Sequence, residues 1–142
     1  CLLLFKRVRK VASMILIGHE LIPFHPFYRI LSAEEIQQTP SNAVVSFDFY
    51  PELMAYAQTN ALPFALHIKN IKELMLGHAF HALYFIVDKS LVLQVQKIAN
   101  EYLFDGKILL LSHDENDIEF AASHGIDGII FTNAFHPSAT QG

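Results

Sequence analysis

From residue 44 onward, short apolar runs alternate with longer segments that mix apolar and polar positions. The apolar runs predict strands at Val44–Phe49, Phe64–Ile68, Ala82–Val87, Lys107–Leu111 and Gly128–Phe131. The segments between them predict helices at Pro51–Thr59, Ile71–Phe80, Ser90–Phe104 and Glu115–His124. Pro51 is suited to the first turn of its helix, and Gly106 and Gly125 suit the turns leaving theirs. Tight antiparallel hairpins leave no room for such helices, so the strands are expected to be parallel and joined by short βα units. Ala43–Phe47 and Ile108–Leu111 are nearly continuous apolar runs, as in strands covered on both faces or enclosed in a barrel.

The first forty residues are less regular. Val8, Val11, Ala12, Ile15 and Leu16 fit one helical face, yet Ser13–Ile17 reads equally well as a buried strand ended by Gly18. Pro23 and Pro26 interrupt regular structure, and Phe27–Leu31 suggests a short strand. Ser32 and Glu35 have capping-box spacing for a helix Ala33–Gln38, which would stop before Pro40. Eight full βα units need roughly 250 residues. The expectation is therefore one α/β domain over 1–142, either a partial or shortened TIM-like barrel or an open doubly wound sheet. Open edges favour self-association. The segment 1–26 is a candidate assembly element, with Phe24, Phe27 and Tyr28 as an exposed aromatic patch, and the tail from Ala134 reads as loosely ordered.

Right-handed crossovers bring the polar strand ends to one face, where α/β proteins place their sites. These ends are Asp48, Lys69-Asn70, Asp88-Lys89, Ser112-His113-Asp114 and Thr132-Asn133. Asp48 and Asp88 suit acid, base or Mg²⁺-ligand roles, or the capping of the helices at Pro51 and Ser90. Lys69 suits an amine nucleophile or anion contact, and His113 a proton shuttle near neutral pH. Lys89, Asp114, Thr132 and Asn133 complete a candidate ligand-binding set. Asp114 also fits an N-cap, with Asp117 at the capping-box position. His67, deeper in its strand, reads as a satisfied core or interface histidine.

Composition narrows the classes. Hydrophobic residues make up 52% of 142 residues, enough for a substantial core. The net charge of -4 lacks the basic footprint of nucleic-acid binding, apart from the local run Lys6–Lys10. A single cysteine, Cys1, excludes a disulfide framework or cysteine cluster within one chain and suits a cytoplasmic setting. A chain opening on Cys1 rather than Met reads as trimmed. Leu2–Phe5 and Val11–Ile17 are too short to span a bilayer. His19, Glu20 and His25 lack the His-Glu-x-x-His spacing, and His78 and His81 fall at i,i+3 with no nearby carboxylate. Neither group forms a metal site by pattern. No nucleotide-binding glycine fingerprint, phosphate loop or serine-nucleophile elbow occurs, so no cofactor is expected.

The stretch Val44–Ala99 resembles the later βα units of bacterial keto-acid aldolases, the class I enzymes acting on 2-keto-3-deoxy-6-phosphogluconate. The resemblance rests on a strand ending Ser46-Phe47-Asp48-Phe49, then Pro51-Glu52-Leu53, Asn60-Ala61-Leu62-Pro63-Phe64 and Asn70-Ile71-Lys72-Glu73-Leu74. It implies a barrel-like fold. The position matching that family's Schiff-base lysine is Tyr84, and the phosphate-side motif is Val87-Asp88. A tyrosine cannot form an imine, so the aldolase reaction itself is not implied. Ile126–Thr132 is similar to the last strands of phosphate-binding barrels, although Asn133-Ala134-Phe135 replaces their glycine-rich turn. Two functions remain open. One is a non-catalytic or regulatory, self-associating α/β protein. The other is a lyase- or isomerase-like enzyme for a small phosphorylated or carboxylated metabolite.

Overall fold

The protein is described by a computed structural model covering residues 14–40 and 43–136. The basic run Lys6–Lys10, Cys1, Leu2–Phe5, the helical-face positions Val8, Val11 and Ala12, and the tail beyond His136 lie outside the described residues. Among the described residues, eight strands form one sheet: β1 Ile15–Ile17, β2 Phe27–Arg29, β3 Val44–Asp48, β4 Phe64–His67, β5 Tyr84–Val87, β6 Lys107–Ser112, β7 Gly128–Phe131 and β8 Phe135–His136. All pairings are parallel, in the order β1-β7-β6-β5-β4-β3-β2-β8. Among the described residues, five helices connect them: α1 Ala33–Ile36, α2 Pro51–Thr59, α3 Ile71–Ala79, α4 Lys89–Glu101 and α5 Asp117–Ser123.

The sheet is a curled half-barrel. The rings of Phe27 on β2 and Tyr84 on β5 are 5.1 Å apart, although β3 and β4 lie between their strands. A flat sheet would separate them by three strand spacings, roughly 14 Å. Eight strands fit so short a chain because the strands are brief and β1 joins β2 without a helix. Ile15–Ile17 adopts the strand alternative, ending at Gly18.

Strand alternation divides the core into two layers. Val45, Phe47, Phe64, Leu66, Phe85, Val87, Ile108, Leu110 and Ile129 point outward and pack under the helices. Phe47 and Phe64 stack at 5.4 Å between centroids, and each is almost wholly buried. Ile17, Phe27, Ala65, Ile86, Leu109 and Ile130 point into the concave side. Phe27, expected in an exposed aromatic patch, is instead 3% exposed in this inner layer, and Phe24 packs against it. Curling turns β2 inward and gives these rings a core.

The helices from α2 onward end alike. Ala61, His81, Leu103 and Gly125 have φ of 54, 66, 55 and 68°. The following N–H donates back across the last turn, from Leu62 to Ala57, Ala82 to Gly77, Phe104 to Ala99 and Ile126 to Ala121. This is the left-handed cap that satisfies terminal carbonyls and turns the chain towards the next strand. Gly106, expected at such a turn, serves a different need. A β-carbon there would lie 2.6 Å from the Ala82 carbonyl oxygen, so glycine permits close approach of two chain segments. The Ser32 capping box is incomplete. The Ser32 side chain makes no cap bond to the helix, while Glu35 accepts from Leu31 N–H at 3.2 Å. α1 is correspondingly only four residues long.

Candidate functional site

Parallel strands put every expected polar end on the same rim, but their side chains enter separate local networks. Lys69 donates its backbone N–H to Glu73 at 2.8 Å, and Asn70 caps α3 by accepting from Glu73 N–H at 2.9 Å. Asp88 accepts from the Ser90 hydroxyl at 2.6 Å and makes no side-chain cap bond to α4. Asp114 accepts from Asn116 N–H at 2.9 Å within its own turn, and Asn116 rather than Asp114 stands at the N-cap of α5. Asp117 is no capping partner. Its carboxylate receives the Ser112 hydroxyl at 2.7 Å and Lys89 Nζ at 3.0 Å. The hydrogen bond from Ser112, then that from Lys89, hold this carboxyl below its usual range. Lys89 also lies 4.6 Å from the centroid of the Phe120 ring.

His113, Thr132 and Asn133 do come together. With Gly18, His19, Glu20 and Glu115 they line a shallow cleft of about 300 Å³. His19 Nε2 pairs with Glu115 Oε2 at 2.8 Å on its wall. Among the described residues, no three histidine, cysteine or acidic side chains gather as metal ligands. The segment after β7 is more ordered than expected up to His136: a single 3-10 turn, Thr132–Ala134, leads into β8.

Asp48 belongs to a different group, built on β2, β3 and β4. Arg29 is opposite Ser46, Ser46 is opposite Ala65, and Asp48 is opposite His67. Two-residue alternation from Phe27, Val44 and Ala65 in the inner layer puts Arg29, Ser46, Asp48 and His67 on the concave face. Arg29 Nη2 donates to Asp48 Oδ1 at 3.0 Å. Arg29 and Asp48 remain partly exposed, with 27% and 58% of their side-chain surface accessible. Phe135 stands over His67, with ring centroids 5.3 Å apart. Burial, then the Arg29 charge, push His67 down to about 4, with Asp48 opposing the shift. At neutral pH the imidazole is therefore uncharged.

Among the described residues, three buried side-chain atoms have no hydrogen-bond partner: Arg29 Nη1, Ser46 Oγ and His67 Nε2. All three belong to this one group. A buried unsatisfied polar atom costs about 1–3 kcal/mol, and these three lie on one face of neighbouring strands. His67, expected to be a satisfied core or interface histidine, thus has one ring nitrogen without a partner among the described residues. Arg29 and Ser46 carried no functional expectation, because Phe27–Leu31 and Val44–Phe49 read as plain strands. The available signal was alternation: Arg29 shares a face with Phe27, and Ser46 and Asp48 share one with Val44. Tyr84 opens β5 and lies against Phe27, at the far end of its strand from Asp88.

A larger apolar cavity of about 750 Å³ lies between β1 and β2, under the Pro23–Pro26 strap. Ile15, Ile17, Phe24, Phe27, Val44 and Tyr84 are among the residues that line it. No helix of the described residues is long and apolar enough to cross a membrane. The sequence matches no protein-family model and no curated protein.

Proposed function

We propose that this protein binds a small anionic metabolite at the mouth of its half-barrel and acts as a non-catalytic or regulatory binding protein. The observation that supports this reading is the cluster of unpartnered Arg29 Nη1, Ser46 Oγ and His67 Nε2 on one concave face. Arginine presents fixed donors to carboxylate or phosphate, and the neighbouring hydroxyl and imidazole add two more polar contacts. Two of the strand ends suited to catalysis are engaged: Asp88 accepts from Ser90, and Asp48 accepts from Arg29.

Binding is tested by thermal unfolding of the full chain in acetate, citrate and inorganic phosphate, against chloride at matched ionic strength. At least one of these anions raises the midpoint in a saturable way, and Arg29→Gln removes the rise. Equal midpoints in all salts would reject the reading.

Self-association and a cytoplasmic setting belong to the same proposal. β1 ends the sheet with one edge unpaired among the described residues. An apolar strand edge of this kind favours pairing with a second copy. Light scattering at dilute concentration tests this, and a mass of 16.1 kDa would reject the dimer.

A further inference from the structure

Resting on the anion-binding reading, we infer that the preferred ligand is a small α-hydroxycarboxylate, with its carboxylate on Arg29 Nη1 and its hydroxyl between Ser46 and His67. Charge is the first argument. Asp48 already neutralises Arg29 through Nη2 at 3.0 Å. A dianion at the mouth would face that carboxylate with no second cation in the group, because His67 is neutral at pH 7. A monoanion adds half that repulsion and still engages the free face of the guanidinium.

Hydrogen-bond polarity is the second argument. Arg29 Nη1 only donates, and Ser46 Oγ donates or accepts. His67 Nε2 does one or the other according to tautomer. The oxygens of a fully ionised phosphate monoester only accept, so such a group satisfies all three atoms in one tautomer alone. A hydroxyl both donates and accepts, and it bridges Ser46 and His67 in either tautomer. Register places the two contacts close together. Arg29 and Ser46 are directly paired, and His67 is a diagonal neighbour of Ser46 on the same face. Ser46 and Ala65, two small side chains paired side by side in the inner layer, keep the floor low. Phe135 stands over His67, with ring centroids 5.3 Å apart. It sits on a two-residue strand, the smallest element of the sheet.

The test is titration calorimetry of the full chain with glycolate, acetate and methyl phosphate at neutral pH, where the monoester is mostly an acceptor-only dianion. Glycolate binds about tenfold or more tightly than acetate, the worth of one well-made hydrogen bond, and more tightly than methyl phosphate. Ser46→Ala brings glycolate and acetate to within about twofold of each other and leaves acetate affinity unchanged. Circular dichroism confirms that the variant is folded. Acetate or methyl phosphate binding as tightly as glycolate, in an Arg29-dependent manner, would overturn the hydroxycarboxylate assignment while keeping the anion site. A glycolate preference that survives Ser46→Ala would overturn it too. No binding by any of the three overturns both this inference and the reading beneath it.

Discussion

Arg29 Nη2 donates to Asp48 Oδ1 at 3.0 Å, while Nη1 of the same guanidinium lies buried without a partner. One side of the arginine is thus committed to holding the rim of the half-barrel, and the other is turned to the concave face. The pair sets both charge and orientation at the mouth. It connects β2 to β3 beyond their backbone ladder, and it leaves donor capacity where Ser46 and His67 are also unpartnered.

Ser46→Ala should stabilise the ligand-free protein. The hydroxyl is fully buried and has no partner, so its removal relieves a desolvation penalty and leaves a side chain of nearly the same shape. The expected gain is about 1 kcal/mol, read as a higher urea midpoint with an unchanged slope. A loss of stability would mean that Ser46 has a partner in solution.

Acid should destabilise the protein through His67. Its folded-state value of about 4 lies below the ordinary 6.5, so the unfolded chain takes up the proton first as pH falls. Stability from this group is fully present above pH 6.5 and declines as pH drops towards 4. The total at stake is roughly 3 kcal/mol, because each tenfold weakening of proton affinity on folding is worth about 1.4 kcal/mol. His67→Gln should flatten the pH dependence of the urea midpoint across that window. Equal slopes in both proteins would refute the assignment.

Leu103→Gly should raise stability. Leu103 has φ of 55° and is 74% exposed, so glycine removes left-handed strain at little packing cost. The αL penalty of about 1–2 kcal/mol is offset in part by the greater freedom of unfolded glycine, for a net gain of roughly 0.5–1 kcal/mol. Calorimetry should show a midpoint higher by a few degrees. Gly125→Ala tests the same geometry in reverse. No atom crowds its β-carbon position, so any loss reports backbone strain alone.

Gly106→Ala should be more damaging than Gly125→Ala. Its β-carbon would meet the Ala82 carbonyl at 2.6 Å and the Phe85 ring at 2.8 Å. Backbone cannot yield as a flexible side-chain tip can, so a loss of roughly 1–3 kcal/mol is expected. A neutral effect in denaturant unfolding would show that the α4–β6 turn relaxes freely.

Phe135→Ala should expose His67 to water. The ring packs against His67 and Phe27. With less burial, the histidine value should rise towards 6.5. NMR titration of the imidazole measures it directly, and an unchanged value would mean that Phe135 does not shield the group.

From local pattern alone, the strands β3 to β7 and the helices between them were legible in number and order, with ends displaced most at α4, Lys89–Glu101 against the expected Ser90–Phe104. Each apolar run has its turn chemistry beside it, and parallel order follows from the helical length of the connections. The common rim of strand ends followed as well. Membership of a site did not. Asp48, Lys69, Asp88 and His113 looked equivalent in sequence, yet they enter four different local arrangements. Side-chain partners at strand ends depend on the loops above them. The group at Arg29, Ser46 and His67 arises from how the sheet curls, since curling turns one set of alternate positions inward. Alternation assigns a residue to a face, but only the curvature of the sheet decides which face becomes concave, and whether a half-buried arginine, a buried serine and a half-buried histidine meet there.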